Sequence, residues 1–143
     1  MIVVLLLILV NIFILKNTKQ PSKLVEVKEK YEILRDHLHE NEIEKFNSLR
    51  RCVPITAIQK MNGDSVGYNT NKGENITICL DGEVNEIFHV LIHELAHNTV
   101  KEYAHSDSFW ENYTDLRDLC IHLGIYEKIP ERTEFCGKHV QDK

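Results

Sequence analysis

The chain has 143 residues, 43% of them hydrophobic and 27% charged, ordinary proportions for one globular domain with a modest core. A formal net charge of −5 and a pI of about 5.9 give it no electrostatic pull toward phosphate backbones, which argues against direct nucleic-acid binding. Four widely spread cysteines (Cys52, Cys79, Cys120, Cys136) contain no CxxC pair, which disfavours a cysteine zinc site; buried reduced thiols are the preferred reading, and two disulfides would need an oxidising compartment.

Residues 2–15 are apolar apart from Asn11. The run is shorter than the roughly 20 residues of a typical spanning helix. A cleaved signal peptide would carry a basic start and small residues at the cut, and neither is present. A buried core helix would not need apolarity on every side. The expectation is therefore a single-pass membrane anchor over residues 1–16, its shortfall covered by bilayer thinning and snorkelling of Lys16 and Lys19. Lys16, Lys19 and Lys23 follow the run and nothing basic precedes it, so the positive-inside tendency predicts a cytoplasmic C-terminal domain. Two N-x-T sequons, at Asn75 and Asn112, point the other way.

Beyond Pro21, the spacing of Leu24, Val27, Tyr31, Leu34 and Leu38 predicts an amphipathic helix over 22–39. A second helical stretch covers 43–50. Segment 17–50 thus reads as helices that either pack on the following domain or form a stalk, with that domain occupying 51–143. Val53 to Lys60 is β-branched, with Pro54 near its start, and predicts a strand at a sheet edge. Asn62-Gly63-Asp64-Ser65 and Asn71-Lys72-Gly73 are turn signals. Glu74 to Leu80 alternates as a strand. From Val84 to Val100 the apolar positions follow helical spacing, and 106–123 predicts another helix, capped by Ser106 or Asp107 and stopped by Gly124. The last twenty residues read as irregular.

Inside the 84–100 helix stands His93-Glu94-Leu95-Ala96-His97, the HExxH pattern of zinc hydrolases. Residues four apart share one helix face, so His93 and His97 can reach one ion, with the Glu94 carboxylate beside them to take a proton from a zinc-activated water. A catalytic zinc site needs a third protein ligand. His105 supplies it if the chain leaves the helix near Lys101 and doubles back; Glu111 is the rival. His89, one turn before His93, reads as an ordinary exposed or hydrogen-bonded histidine. Asp107 could orient His105, and Tyr103, Tyr113, Tyr126 and His122 are candidate donors to an oxyanion.

His93-Glu94-Leu95-Ala96-His97-Asn98 followed by His105-Ser106-Asp107-Ser108-Phe109-Trp110 resembles the WLM family of zinc metalloproteases, relatives of SprT-like peptidases. Gly67-Tyr68-Asn69 and the strand through Ile76-Thr77-Ile78-Cys79-Leu80 are similar to the family's G-x-N and I-x-L-C-L segments. The tail, with Gly124-Ile125-Tyr126 and Phe135-Cys136-Gly137, looks like a short form encoded by large DNA viruses. The resemblance implies an α+β zincin-like fold, one Zn2+ bound by His93, His97 and His105, Glu94 as general base, and a protein or peptide substrate. It would make the membrane that of a host cell or virion. The loop to His105 is longer than in cellular members, and the extensions through which those reach protein–DNA crosslinks are lacking, so that substrate is not implied. The alternative to an enzyme is a membrane-tethered, zinc-folded interaction domain without catalysis.

Overall fold

A computed structural model describes residues 1–17, 20–59 and 65–143. The protein is α+β. Helix α1 covers Ile2–Asn17, α2 Ser22–Glu40, α3 Val84–His97 and α4 Asp107–His122; strands β1 to β5 cover Ile55–Ile58, Gly67–Thr70, Asn75–Cys79, Thr133–Phe135 and Lys138–Val140. A 3-10 helix, Glu44–Arg50, stands where the second helical stretch is predicted. Of the two turn signals, 71–74 is a turn, and residues 62–64 of the other lie outside the described residues.

Three short strands form a sheet in the order β1-β3-β2, with β1 parallel and β2 antiparallel to β3. β3 is central and buried at Ile76, Thr77, Ile78 and Cys79, so it reads apolar on both faces. α3 covers one face of the sheet. Its Ile87, Phe88, Leu91, Ile92 and Leu95 are fully buried, a stripe wide enough to touch sheet, α2 and α4 together. β2 lies close to α3 because position 67 is glycine: a Cβ there would stand 2.5 Å from Val90 Cγ1.

Helix α2 belongs to the same core. Leu24, Val27, Tyr31, Leu34 and Leu38 face inward, as the spacing predicts. Lys23 and Lys30 donate to the carbonyls of Gly82 (2.6 Å) and Ile125 (3.1 Å), and Val53 N–H donates to the Tyr31 hydroxyl (3.1 Å). Packing on the unit, rather than a stalk, is the arrangement observed.

Three expectations need correction. α1 has 16 residues and is about 24 Å long, short of the roughly 30 Å of a hydrocarbon core. No helix among the described residues is long and apolar enough to cross a membrane, so the single-pass anchor over residues 2–15, and the membrane location and cytoplasmic orientation built on it, are not supported. The cysteines are not all reduced: Cys79 and Cys136 form a disulfide, while Cys52 is free and exposed and Cys120 free and buried. The tail is not irregular: β4 and β5 pair as an antiparallel hairpin, and the disulfide ties its turn to the end of β3.

Candidate metal centre

The HExxH segment occupies the last turns of α3, and the helix ends at the second histidine. The Asn98 and Thr99 N–H groups turn back to Leu95 and Ala96, tightening the last turn and leaving the Glu94 carbonyl without its helical partner. Asn69 of β2 takes that carbonyl (2.9 Å) and also donates to Asn98 Oδ1 (2.5 Å), while its own Oδ1 accepts from Gly73 N–H (2.7 Å). One amide thus fastens strand, turn and helix end together. Lys72 then pins the chain after the helix, donating to the carbonyls of Val100 (2.6 Å) and Glu102 (2.5 Å). The Ser106 hydroxyl caps α4 by accepting from Phe109 N–H (3.1 Å) and donates to Glu102 (2.5 Å), setting where the loop re-enters helix.

The loop so fixed brings His105 back to His93 and His97. One nitrogen from each ring can be chosen so that all three lie within 4.8 Å of one another. The Nε2 atoms of His93 and His105 face each other at 3.0 Å. Two imidazole nitrogens on a tetrahedral zinc would stand about 3.3 Å apart, from Zn–N lengths of about 2.05 Å. All three rings pack on Phe109, at centroid distances of 5.1, 4.4 and 4.8 Å, and Trp110 stacks on His105 at 5.6 Å. The Phe109-Trp110 pair is therefore the floor of the cluster.

Burial pushes the His93 imidazolium down to about 3, helped by repulsion from His97 and His105. His97 is lowered to about 4 by burial, His105 and Lys72. Both rings are neutral at ordinary pH and present lone pairs, the state in which imidazole binds a cation. The donor set therefore fits a metal ion, and nitrogen ligands in that spacing suit zinc.

Glu94 is buried beside them, and burial alone pushes its carboxyl up to about 7. It lines a cavity of 420 Å³ together with His93, His97, His105, residues 65–69 of the β2 edge, Lys72, Tyr103 and His89. Of the candidate oxyanion donors only Tyr103 lines this cavity, and His122 is exposed at the end of α4. Tyr113 and Tyr126 are buried behind it, both donating to Asp142. Glu111 is on α4 near Lys45 (3.6 Å) and does not join the cluster; no hydrogen bond links Asp107 to His105 among the described residues.

His89 is buried and hydrogen-bonded, yet it also forms part of the cavity wall. Its Nδ1 lies 2.9 Å from the Tyr126 hydroxyl, 3.3 Å from that of Tyr113 and 3.5 Å from Asp142. Burial would raise Asp142, but hydrogen bonds from His89, Tyr126, Ile129 N–H and Tyr113 outweigh it and hold the carboxyl well below the usual range. Burial and the bond to Asp142 push both tyrosines well above the phenol range. Sequence reading gave no role to Asn69, Lys72 or Asp142. The only local signal was the Gly67-Tyr68-Asn69 string; Lys72 and Asp142 meet their partners across long stretches of chain.

Residues 53–142 match the sequence profile of the WLM domain. The chain belongs to the WLM domain family. It is also 30% identical over 125 residues to an uncharacterized protein of Acanthamoeba polyphaga mimivirus, which fits a viral WLM-domain protein. That match covers 73% of this chain and 62% of the mimivirus protein, so the chain spans less than two thirds of its relative's length. A crystal structure of the metallopeptidase zymogen of Pyrococcus abyssi abylysin aligns with a TM-score of 0.44 at 25% identity, over 67% of this chain and 92% of that one.

Proposed function

We propose that this WLM domain is a zinc metallopeptidase of zincin-like architecture, with residues 51–143 as the catalytic unit and α2 and the 3-10 helix as its support. The observation that carries the reading is the convergence of three imidazoles on the lining of a cavity whose wall also holds a buried carboxylate. His93, His97 and His105 would hold the ion. Bound there, zinc would supply an activated water and an electrophile for the scissile carbonyl. The Glu94 carboxylate would take up a proton there and return it to the leaving amine. An acidity near neutrality suits a group that must both take and give a proton. Tyr103, the one of the four sequence-derived candidates that lines the cavity, would donate to the developing oxyanion.

The substrate would enter along β2. Among the described residues this strand pairs with β3 alone, and its residues line the cavity, so its other edge would offer main-chain groups to an extended peptide.

The test compares wild type, Glu94→Gln and His93→Ala in digestion of unfolded casein, with zinc content measured on each. Wild type should cleave, Glu94→Gln should keep zinc and lose cleavage, and His93→Ala should lose both. A zinc-loaded wild type that cleaves neither casein nor a broad peptide library would favour a non-catalytic interaction domain instead.

A further inference from the structure

The group behind the cavity wall allows its protons to be counted. The Asp142 carboxylate is ionised and can only accept. The Tyr113 hydroxyl donates to it at 2.7 Å and the Tyr126 hydroxyl donates to its other oxygen, which also accepts from Ile129 N–H at 2.8 Å. Each phenol has one proton, and both are now spent. Toward His89 the two phenol oxygens can only accept. The contact at 2.9 Å between Tyr126 and His89 Nδ1 is therefore a hydrogen bond only if Nδ1 carries the proton. In the neutral ring, Nε2 is then a bare lone pair. Nδ1 is turned into the buried network, no protein partner of Nε2 is found among the described residues, and the ring forms part of the cavity wall beside Val90, His93 and Glu94.

We infer that His89 is a substrate-binding residue: its Nε2, aimed by the Asp142–Tyr126–Tyr113 group, accepts a hydrogen bond from a main-chain N–H of a peptide lying in the metal cavity. The inference rests on the peptidase reading and adds a contact to it. An extended peptide cannot pair all its N–H groups with a single strand edge, because alternate groups point away from it. His89 lies on α3 and Ser65 to Asn69 on the β2 side, so the cavity has an acceptor that does not belong to the edge strand.

Two readouts test this on the full chain without metal. Long-range proton–nitrogen NMR at pH 8, with the ring assigned by its loss in His89→Gln, should find the His89 proton on Nδ1. A ring protonated on Nε2 overturns the inference. Binding of a blocked alanine hexapeptide should weaken about tenfold in His89→Phe, the worth of one hydrogen bond. His89→Gln, which keeps an acceptor near the same place, should recover most of the loss, while thermal melts report whether either variant is damaged. Replacing peptide N–H groups by ester oxygen one at a time should cost the wild type about tenfold at one position and cost His89→Phe nothing there. Equal losses in both proteins at every position overturn the inference. Tight peptide binding without cleavage by the zinc-loaded protein sinks the peptidase reading alone; cleavage and binding indifferent to His89 sink this inference alone.

Discussion

Glu94 is the residue at which stability and chemistry oppose each other most directly. Its carboxyl is buried, its acidity is set by burial alone, and its pKa stands at about 7 against an ordinary 4.5. In the unfolded chain it ionises near 4.5, so between the two values the folded protein holds a proton that the unfolded one has lost. Stability must then fall as pH rises through that window, and at pH 8 the full penalty is present. A shift of this size corresponds to about 3 kcal/mol. Glutamine has nearly the same shape and no charge, so Glu94→Gln should stabilise the metal-free protein by about 3 kcal/mol at pH 8, roughly 10 °C in Tm, and by almost nothing at pH 4. The assay is thermal unfolding followed by circular dichroism in the presence of a chelator, for both proteins, at half-unit steps from pH 4 to 8. Histidine titration is common to the two proteins and largely cancels in the difference. A difference that stays flat with pH, or that shrinks as pH rises, would refute the claim that burial alone sets the acidity of this carboxylate.

Other outcomes follow from the same geometry. Zinc should quench or shift the fluorescence of Trp110, the single tryptophan, because its ring stacks on His105; retention of zinc should extend well below pH 6, since His93 and His97 resist protonation down to about 3 and 4. Release of the ion with a midpoint near 6.5 would contradict this. Gly67→Ala should cost about 1–3 kcal/mol in urea unfolding, and more than half the activity, because its methyl meets Val90 at 2.5 Å and pushes β2 off α3. Asp142→Ala strands two phenols and the Ile129 N–H in the interior and should destabilise by about 3–5 kcal/mol in the same measurement. Reducing Cys79–Cys136, which closes a loop with a separation of 57 residues, should cost about 4 kcal/mol by chain entropy, read as a lower urea midpoint in dithiothreitol.

What the sequence discloses here is mostly local. The stripe of α2, the stop at Gly124, the Ser106 cap and the HExxH face of α3 each arise from residues within a few turns of one another, and each stands where the spacing puts it. The return of His105 is also legible, because a third nitrogen had to lie within reach of a helix that was about to end. The parts that escaped are those decided at long range. β4 and β5 have three residues each, too few for alternation to register, and they exist because the hairpin packs Phe135 and Val140 into the core. The pairing of Cys79 with Cys136 has no signature in their spacing. The apolar stretch at the start of α1 misled in the opposite direction: composition alone suggested a span, and length denied it. His89 looked ordinary because its partner at Asp142 comes from the far end of the chain.

The amide of Asn69 has a consequence for anyone wishing to transplant this centre. An HExxH string carried on an isolated helix would go on winding past its second histidine, since nothing there would claim the carbonyl of Glu94. The third imidazole would then be carried away from the first two with every added residue. A side chain on a neighbouring strand holds the end of the helix, so the smallest portable unit is the five-residue string and the loop to His105 together with the strand and turn that arrest the helix.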